Sequence, residues 1–178
     1  MEANEVKINI DGKEFTAKAG SNLLQAAMDS GIYIPYLCYY PGMKPFGACR
    51  MCMVDIEDTR GVTSVASCTV PVADGLIVRT HTEGVRKTRG EVMDLLISEH
   101  PHGCLNCHRV DLCGPSDICL RHVSVTDRCV TCPKNERCEL KDTVRYMEMD
   151  LDTSLPYKHR NIPLDTSDPF WEMDMNLC

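Results

Sequence analysis

The stretch from Cys38 to Glu57, CYYPGMKPFGACRMCMVDIE, decides how the rest of the chain is read. Cys38, Cys49 and Cys52 lie in one loop rich in Pro, Gly and Tyr, and Cys68 follows from what reads as a distant strand. A 2Fe–2S cluster needs two ligands per iron and a loop whose backbone amides can point at the sulfides. Gly42, Gly47 and Ala48 leave room for that approach, where bulky side chains would block it. The plant-type ferredoxin spacing has about four residues between its first two cysteines. Here the interval is longer, so the pattern is a variant. A structural zinc site usually pairs two C-x2-C knuckles, and this quartet has only one.

Upstream, Val6, Ile8 and Ile10 alternate with polar residues as a half-buried strand does. Asp11-Gly12 signals a tight hairpin, with Phe15 and Ala17 on the returning strand. Ser21 is the expected cap of a helix through Leu23, Leu24, Ala27 and Met28, which Gly31 ends. Downstream, Met51 to Ile56 alternates again, and short strands are expected around Thr63–Val70 and Leu76–Thr80. Thr80 and Glu83 read as the capping box of a helix running to about Glu99, with Val85, Val92 and Leu96 on one face and Met93 and Ile97 alongside. Pro101 pushes His100 to the helix end.

The remaining cysteines crowd together. Of 12 in 178 residues, Cys104, Cys107, Cys113, Cys119, Cys129, Cys132 and Cys138 lie in one segment, and Cys178 ends the sequence. That segment has few large apolar side chains, so bound metal would supply its folding free energy. C-x2-C-x5-C occurs twice, at Cys104–Cys113 and Cys129–Cys138. The first thirty residues lack a secretory pattern, and no apolar run reaches a bilayer span, so a reducing cytoplasm is the expected compartment. There, a cysteine pattern reads as metal ligation before disulfides. A net charge of -7 excludes the basic footprint that a nucleic-acid partner requires.

The run beginning at Cys38, with Cys68 downstream, resembles the N-terminal 2Fe–2S region of the large peripheral-arm subunit of respiratory complex I. Iron-only hydrogenases and some NAD-linked formate dehydrogenases share that region. In the family the next element is a helix ending in H-P-x-x-C-x-x-C-x5-C, and VMDLLISEHPHGCLNCHRVDLC places His100, Cys104, Cys107 and Cys113 in register with it. The resemblance implies an α+β fold, a ferredoxin-type β-grasp domain, and a 4Fe–4S cluster on His100 and those three cysteines. A neutral imidazole in place of a thiolate would raise the potential. The alternative for His100 is a surface helix-end histidine interacting with the dipole.

The sequence departs from the family by an insertion that doubles the C-x2-C-x5-C motif. Cys119, Cys129, Cys132 and Cys138 make a second four-thiolate set, expected to hold another 4Fe–4S cluster. Cys113 and Cys119 could exchange clusters, as fourth ligands do in two-cluster ferredoxins. One cluster with spare structural thiols is the simpler alternative. Cys178 is left over as a terminal thiol.

Three segments are therefore expected: a 2Fe–2S domain over 1–80, a 4Fe–4S domain over 81–145, and an acidic extended arm over 146–178. The arm has seven acids against Lys158 and Arg160, and its Tyr157, Phe170 and Trp171 are candidate anchors on a partner. The alternative is a solvated tail. No dinucleotide fingerprint and no catalytic triad occur, so no substrate site is expected. The expected role is an electron-transfer subunit with one 2Fe–2S and two 4Fe–4S clusters. Partners implied by the resemblance are an NADH-oxidising flavoprotein, a molybdenum or tungsten formate or aldehyde oxidoreductase, a hydrogenase or a heterodisulfide-reductase-like assembly. The rival reading is a zinc-stabilised interaction module without redox chemistry.

Overall fold

The computed structural model describes residues 5–100, 138–149, 155, 161–173 and 175. The chain divides into two compact units, Met1–Val92 and Met93–Cys178.

In the first unit, β1 (Glu5–Ile10) and β2 (Lys13–Lys18) pair antiparallel, from Glu5↔Lys18 to Ile10↔Lys13. Asp11 (φ 51) and Gly12 (φ 85) make the turn. Two left-handed residues in a row match the twist of the flanking strands, which is why Asp-Gly serves here. Asp11 also holds the far end of β5 (Leu76–Arg79). Its N–H donates to the Val78 carbonyl at 2.9 Å, and its Oδ1 accepts the Thr80 N–H at 2.8 Å.

The five-stranded sheet has the order β2-β1-β5-β3-β4, with β3 at Met53–Asp58 and β4 at Gly61–Ala66. β1 and β5 run parallel, and the other neighbours are antiparallel. The helix α1 (Leu23–Asp29) lies in the connection from β2 to β3. Its Leu23, Leu24, Ala26 and Ala27 join Ile8, Ile10, Ile34, Val54 and Val78 in one buried core. Truncating a leucine of that core to alanine costs about 2–5 kcal/mol. This mixed sheet with its helix is α+β and consistent with the expected ferredoxin-like β-grasp domain.

Three local expectations are corrected. The cap of α1 is Asn22, whose Oδ1 accepts the Gln25 N–H at 3.1 Å, while the Ser21 hydroxyl donates to the Lys18 carbonyl at 2.6 Å. The strand expected over Thr63–Val70 stops at Ala66, and Cys68 sits on a 3-10 turn, Ser67–Thr69. Helix α2 (Glu83–Ser98) starts from Thr82, whose Oγ1 accepts the Val85 N–H at 3.1 Å. Thr80 stands two residues before that cap, with its N–H and its hydroxyl both donating to Asp11. The Thr82 hydroxyl donates in turn to Asp55 Oδ2 at 2.6 Å, and Asp55 also accepts a hydrogen bond from the Ser64 hydroxyl. A buried carboxylate in β3 thus pins both β4 and the start of α2.

The buried stripe of α2 is Val85, Arg89, Met93 and Ile97, each four residues from the last. Val92 and Leu96 are only half-buried. In the second unit, α3 (Glu139–Tyr146) starts at Cys138 and buries Lys141, Thr143 and Val144. Acids in its first turn and Arg145 in its last suit the helix dipole. Asp165 and Met173 exchange backbone hydrogen bonds of 2.9 and 3.0 Å, closing a short loop. No helix among the described residues is long and apolar enough to cross a membrane.

Candidate metal centre

The β3–β4 hairpin explains the long interval between Cys52 and Cys68. Register Met53↔Ala66 places the residue before β3 opposite the residue after β4. The Ser67 N–H donates to the Cys52 carbonyl at 2.9 Å, and both cysteines are buried. Asn22 fixes the same corner from α1, because its Nδ2 donates to the Cys68 carbonyl while its Oδ1 caps the helix. The Leu23 N–H donates to Val70 at 2.9 Å and the Val72 N–H to Ser21 at 2.8 Å. The 3-10 turn carrying Cys68 is therefore sewn to the helix N-terminus.

Cys38 and Cys49 form the other pair. The Cys49 N–H donates to Cys38 Sγ at 3.5 Å. Next to Cys38, the Tyr39 hydroxyl donates to Gln25 Oε1 at 2.9 Å, and its ring meets Tyr36 edge-on at 5.9 Å. The loop is thereby anchored on α1 before it swings out to Phe46 and returns. Gly47 (φ +65) is the tight point: a Cβ there would stand 3.2 Å from Thr69 Cγ2 and 3.4 Å from Ala66 Cβ. Gly42 (φ +86) has no protein atom within 4 Å of such a Cβ, and its positive φ serves a turn.

The thiols of Cys38, Cys49 and Cys68 are held unequally. Burial pushes the Cys68 thiol up to about 12, helped by the neighbouring Cys52 and Cys38 thiols and opposed by the Gly47 backbone. Burial also raises Cys38, joined by Cys49, against the backbone groups of Cys49 and Ala48. At Cys49 burial acts upward too, but the backbones of Met51 and Cys38, the Cys38 side chain and the Leu37 backbone outweigh it and hold the thiol below its ordinary range. Backbone groups from Leu37 to Met51 therefore converge on sulfur.

The residues fit a 2Fe–2S group in donor set and in shape. Four thiols stand as two pairs, Cys38 with Cys49 and Cys52 with Cys68, and the backbone of Gly47 acts on Cys68. The hydroxyl oxygen of Ser67, beside Cys68, is buried without a hydrogen-bond partner among the described residues. Among the described residues no three His, Cys, Asp or Glu side chains close on a single metal ion.

His100 lies just past α2, half-buried, with its N–H donating to the Ile97 carbonyl at 3.1 Å. Cys138 caps α3. Cys104, Cys107, Cys113, Cys119, Cys129, Cys132 and Cys178 lie outside the described residues. Arg89, Asn22 and Ser67 escaped the sequence reading. Only Asn22 had a signal, as a second polar residue before an apolar run.

Residues 3–83 match the 2Fe–2S iron-sulfur cluster binding domain family. A subunit of the NADH-quinone oxidoreductase of Rickettsia felis is 37% identical over 123 residues, covering 69% of this chain and 18% of that protein. The mitochondrial 78 kDa subunit of NADH-ubiquinone oxidoreductase from Candida albicans is 38% identical over 120 residues, covering 67% and 16%. A chain in the crystal structure of an NAD+-reducing NiFe-hydrogenase in the H2-reduced state superposes with a TM-score of 0.66 at 25% identity. That match covers 97% of this chain and 61% of the hydrogenase chain. The chain spans less than a fifth of the length of these curated relatives.

Proposed function

Because residues 3–83 belong to the 2Fe–2S iron-sulfur cluster binding domain family and the chain shares the iron–sulfur region of the large complex I subunit, we propose that it is an electron-relay subunit of a larger redox complex. Cys38, Cys49, Cys52 and Cys68 hold the 2Fe–2S cluster, two thiolates to each iron. The observation that carries this is the standing of the four thiols as two pairs, Cys38 with Cys49 and Cys52 with Cys68. His100 with Cys104, Cys107 and Cys113 holds one 4Fe–4S cluster, and Cys119, Cys129, Cys132 and Cys138 hold a second. Bound there, the clusters supply one-electron transfer by tunnelling, with potentials set by ligand type, hydrogen bonds to sulfur and burial.

In this reading residues 1–80 form the 2Fe–2S domain, 81–145 the 4Fe–4S domain and 146–178 an arm that docks on a neighbouring subunit. The relatives' names support a partner of the NADH-oxidising or hydrogenase type. Formate or aldehyde oxidoreductases and heterodisulfide-reductase-like assemblies rest on the resemblance alone. The zinc-module reading is disfavoured by the donor set, since the quartet has one C-x2-C knuckle where structural zinc usually pairs two. Anaerobic iron and sulfide analysis of the purified chain tests the proposal. Three clusters give about ten irons per chain with matching acid-labile sulfide and visible absorption. Six or fewer irons would remove the second 4Fe–4S cluster, and a colourless zinc protein would remove the reading altogether.

A further inference from the structure

The loop between Cys38 and Cys49 presents three large apolar side chains to solvent: Tyr40 and Met43 are 69% exposed and Phe46 is 70% exposed. They are held out by a stiff frame. Pro41 and Gly42 occupy the centre of a tight turn closed by the Met43 N–H on the Tyr40 carbonyl at 3.2 Å, with Gly42 at φ +86 and Pro45 following. Pro then Gly of positive φ is the type II pattern. A preorganised apolar surface loses little entropy on binding. Its charge is as distinctive. From Ser30 to Val54 the chain has no acid and two cations, Lys44 and Arg50, both exposed, although the protein as a whole carries a net charge of -7.

We propose that Tyr40, Met43 and Phe46, flanked by Lys44 and Arg50, dock a partner redox subunit whose contact surface is apolar and rimmed with carboxylates. Aromatic side chains and Met supply the affinity at the centre of such a contact, and the cations set its orientation. The place follows from the proposed cluster site, since this loop is its outer wall.

The test compares the isolated chain with the complex it purifies in. Hydroxyl-radical oxidation of Tyr40, Met43 and Phe46 is expected in the isolated chain and lost in the complex. Carbodiimide condenses a lysine amine with a carboxylate to an amide, itself taking up the water. Lys44 should therefore couple to an Asp or Glu of another subunit, and Lys44→Arg should lose that product. Equal oxidation in both states overturns the proposal, as does coupling of Lys44 only to a second copy of this chain. A 2Fe–2S spectrum missing from the isolated chain would overturn the cluster reading alone, because protection of the loop is read independently.

A different observation concerns Ser67. The residue is fully buried, its N–H binds the Cys52 carbonyl, it precedes Cys68, and its Oγ has no hydrogen-bond partner among the described residues. Hydroxyls buried in this way cost stability unless something accepts their hydrogen. We infer that the Ser67 hydroxyl donates a hydrogen bond to a sulfur of the 2Fe–2S centre, which rests on the cluster reading above. A donor to sulfur favours the more negative, reduced state and so raises the potential.

Ser67→Ala in the whole, cluster-loaded chain should keep the 2Fe–2S spectrum and lower the potential in an EPR-monitored titration. Ser67→Thr, which keeps the hydroxyl, should return it toward wild type. Ser67→Gly removes the same oxygen with less bulk and should match Ser67→Ala. An unchanged potential in a variant with a full 2Fe–2S spectrum overturns the role of Ser67 and leaves the cluster reading intact. A wild-type chain without that spectrum overturns both.

Discussion

Arg89 of α2 grips the carbonyl oxygen of Met53 with two nitrogens, Nε at 3.1 Å and Nη2 at 2.5 Å. Met53 is the residue after Cys52, and Arg89 is only 3% exposed. The helix is thus bolted to the point where the cysteine loop enters β3. Arg89→Met should destabilise the cluster-loaded protein by about 2–4 kcal/mol, since it removes a charged donor from a buried acceptor. Arg89→Lys should recover only part, because an ammonium lacks the planar fork. Denaturant unfolding of the three proteins checks this; equal midpoints would show that the contact contributes nothing.

Gly47 and Gly75 separate backbone strain from crowding. Both have positive φ, +65 and +73, but a Cβ on Gly75 meets nothing within 4 Å. Gly75→Ala should cost about 1–2 kcal/mol and leave the cluster content unchanged. Gly47→Ala adds pressure on Thr69 and Ala66, which flank Cys68, and Gly47→Val more so. Iron per chain should fall in the order wild type, alanine, valine. Full iron in Gly47→Val would show that the loop gives way without cost to the site.

The hairpin and α1 were legible because their signals are local: strand alternation, Asp-Gly, and an apolar stretch closed by Gly31. The cap was displaced by one residue, as Ser21 and Asn22 are both capable and only Asn22 also reaches the Cys68 carbonyl. Thr82 takes the role expected of Thr80, which Asp11 holds from far along the chain. Arg89 was invisible because a charged residue at a buried helical position breaks the pattern by which buried faces are recognised. The spacing singles out Cys38, Cys49, Cys52 and Cys68 as one proposed ligand set. That Cys68 sits on a 3-10 turn was not legible there, since β4 ends where Ser67 turns back to Cys52, a contact no local propensity encodes.

Alkylation of the cluster-free chain should report the unequal thiols. A thiolate, not a thiol, attacks iodoacetamide. Cys49, held below its ordinary range, should react at lower pH than Cys38, which burial raises, and than Cys68, pushed up to about 12. The same shift makes the folded cluster-free chain retain a proton that the unfolded chain releases. Its stability should fall as pH rises from the ordinary thiol range toward about 12. Mass spectrometry of the modified peptides across pH gives the order, and labelling of Cys68 before Cys49 would contradict it.

His100 is the only non-thiol in the proposed ligand sets. It sits where α2 ends, with its N–H still tied to Ile97. Replacing it with cysteine exchanges a neutral ligand for an anion. His100→Cys should keep the iron content and lower the potential of one 4Fe–4S centre, while leaving the 2Fe–2S potential where it was. An EPR-monitored titration that superposes on wild type would take His100 out of the ligand set.

In the proposed reading the C-terminal segment docks the chain on its assembly. Phe170 is 94% exposed and Trp171 47% exposed, on the loop closed by Asp165 and Met173. Leu164 and Met173 are exposed on the same loop. Aromatic side chains displayed in this way supply most of the energy at the centre of a protein interface, whereas the surrounding acids steer association and are screened by salt. Every proposed ligand lies between Cys38 and Cys138. Removing residues 150–178 should therefore leave the iron content and the EPR signals of the chain unchanged while abolishing its co-purification with the complex. Phe170→Ser with Trp171→Ser should have the same effect, and raising salt alone should weaken the association less. Retention of full stoichiometry after truncation would make the segment a solvated terminus. Loss of the clusters would place it within the cluster fold and move the boundary near residue 145 toward the C-terminus.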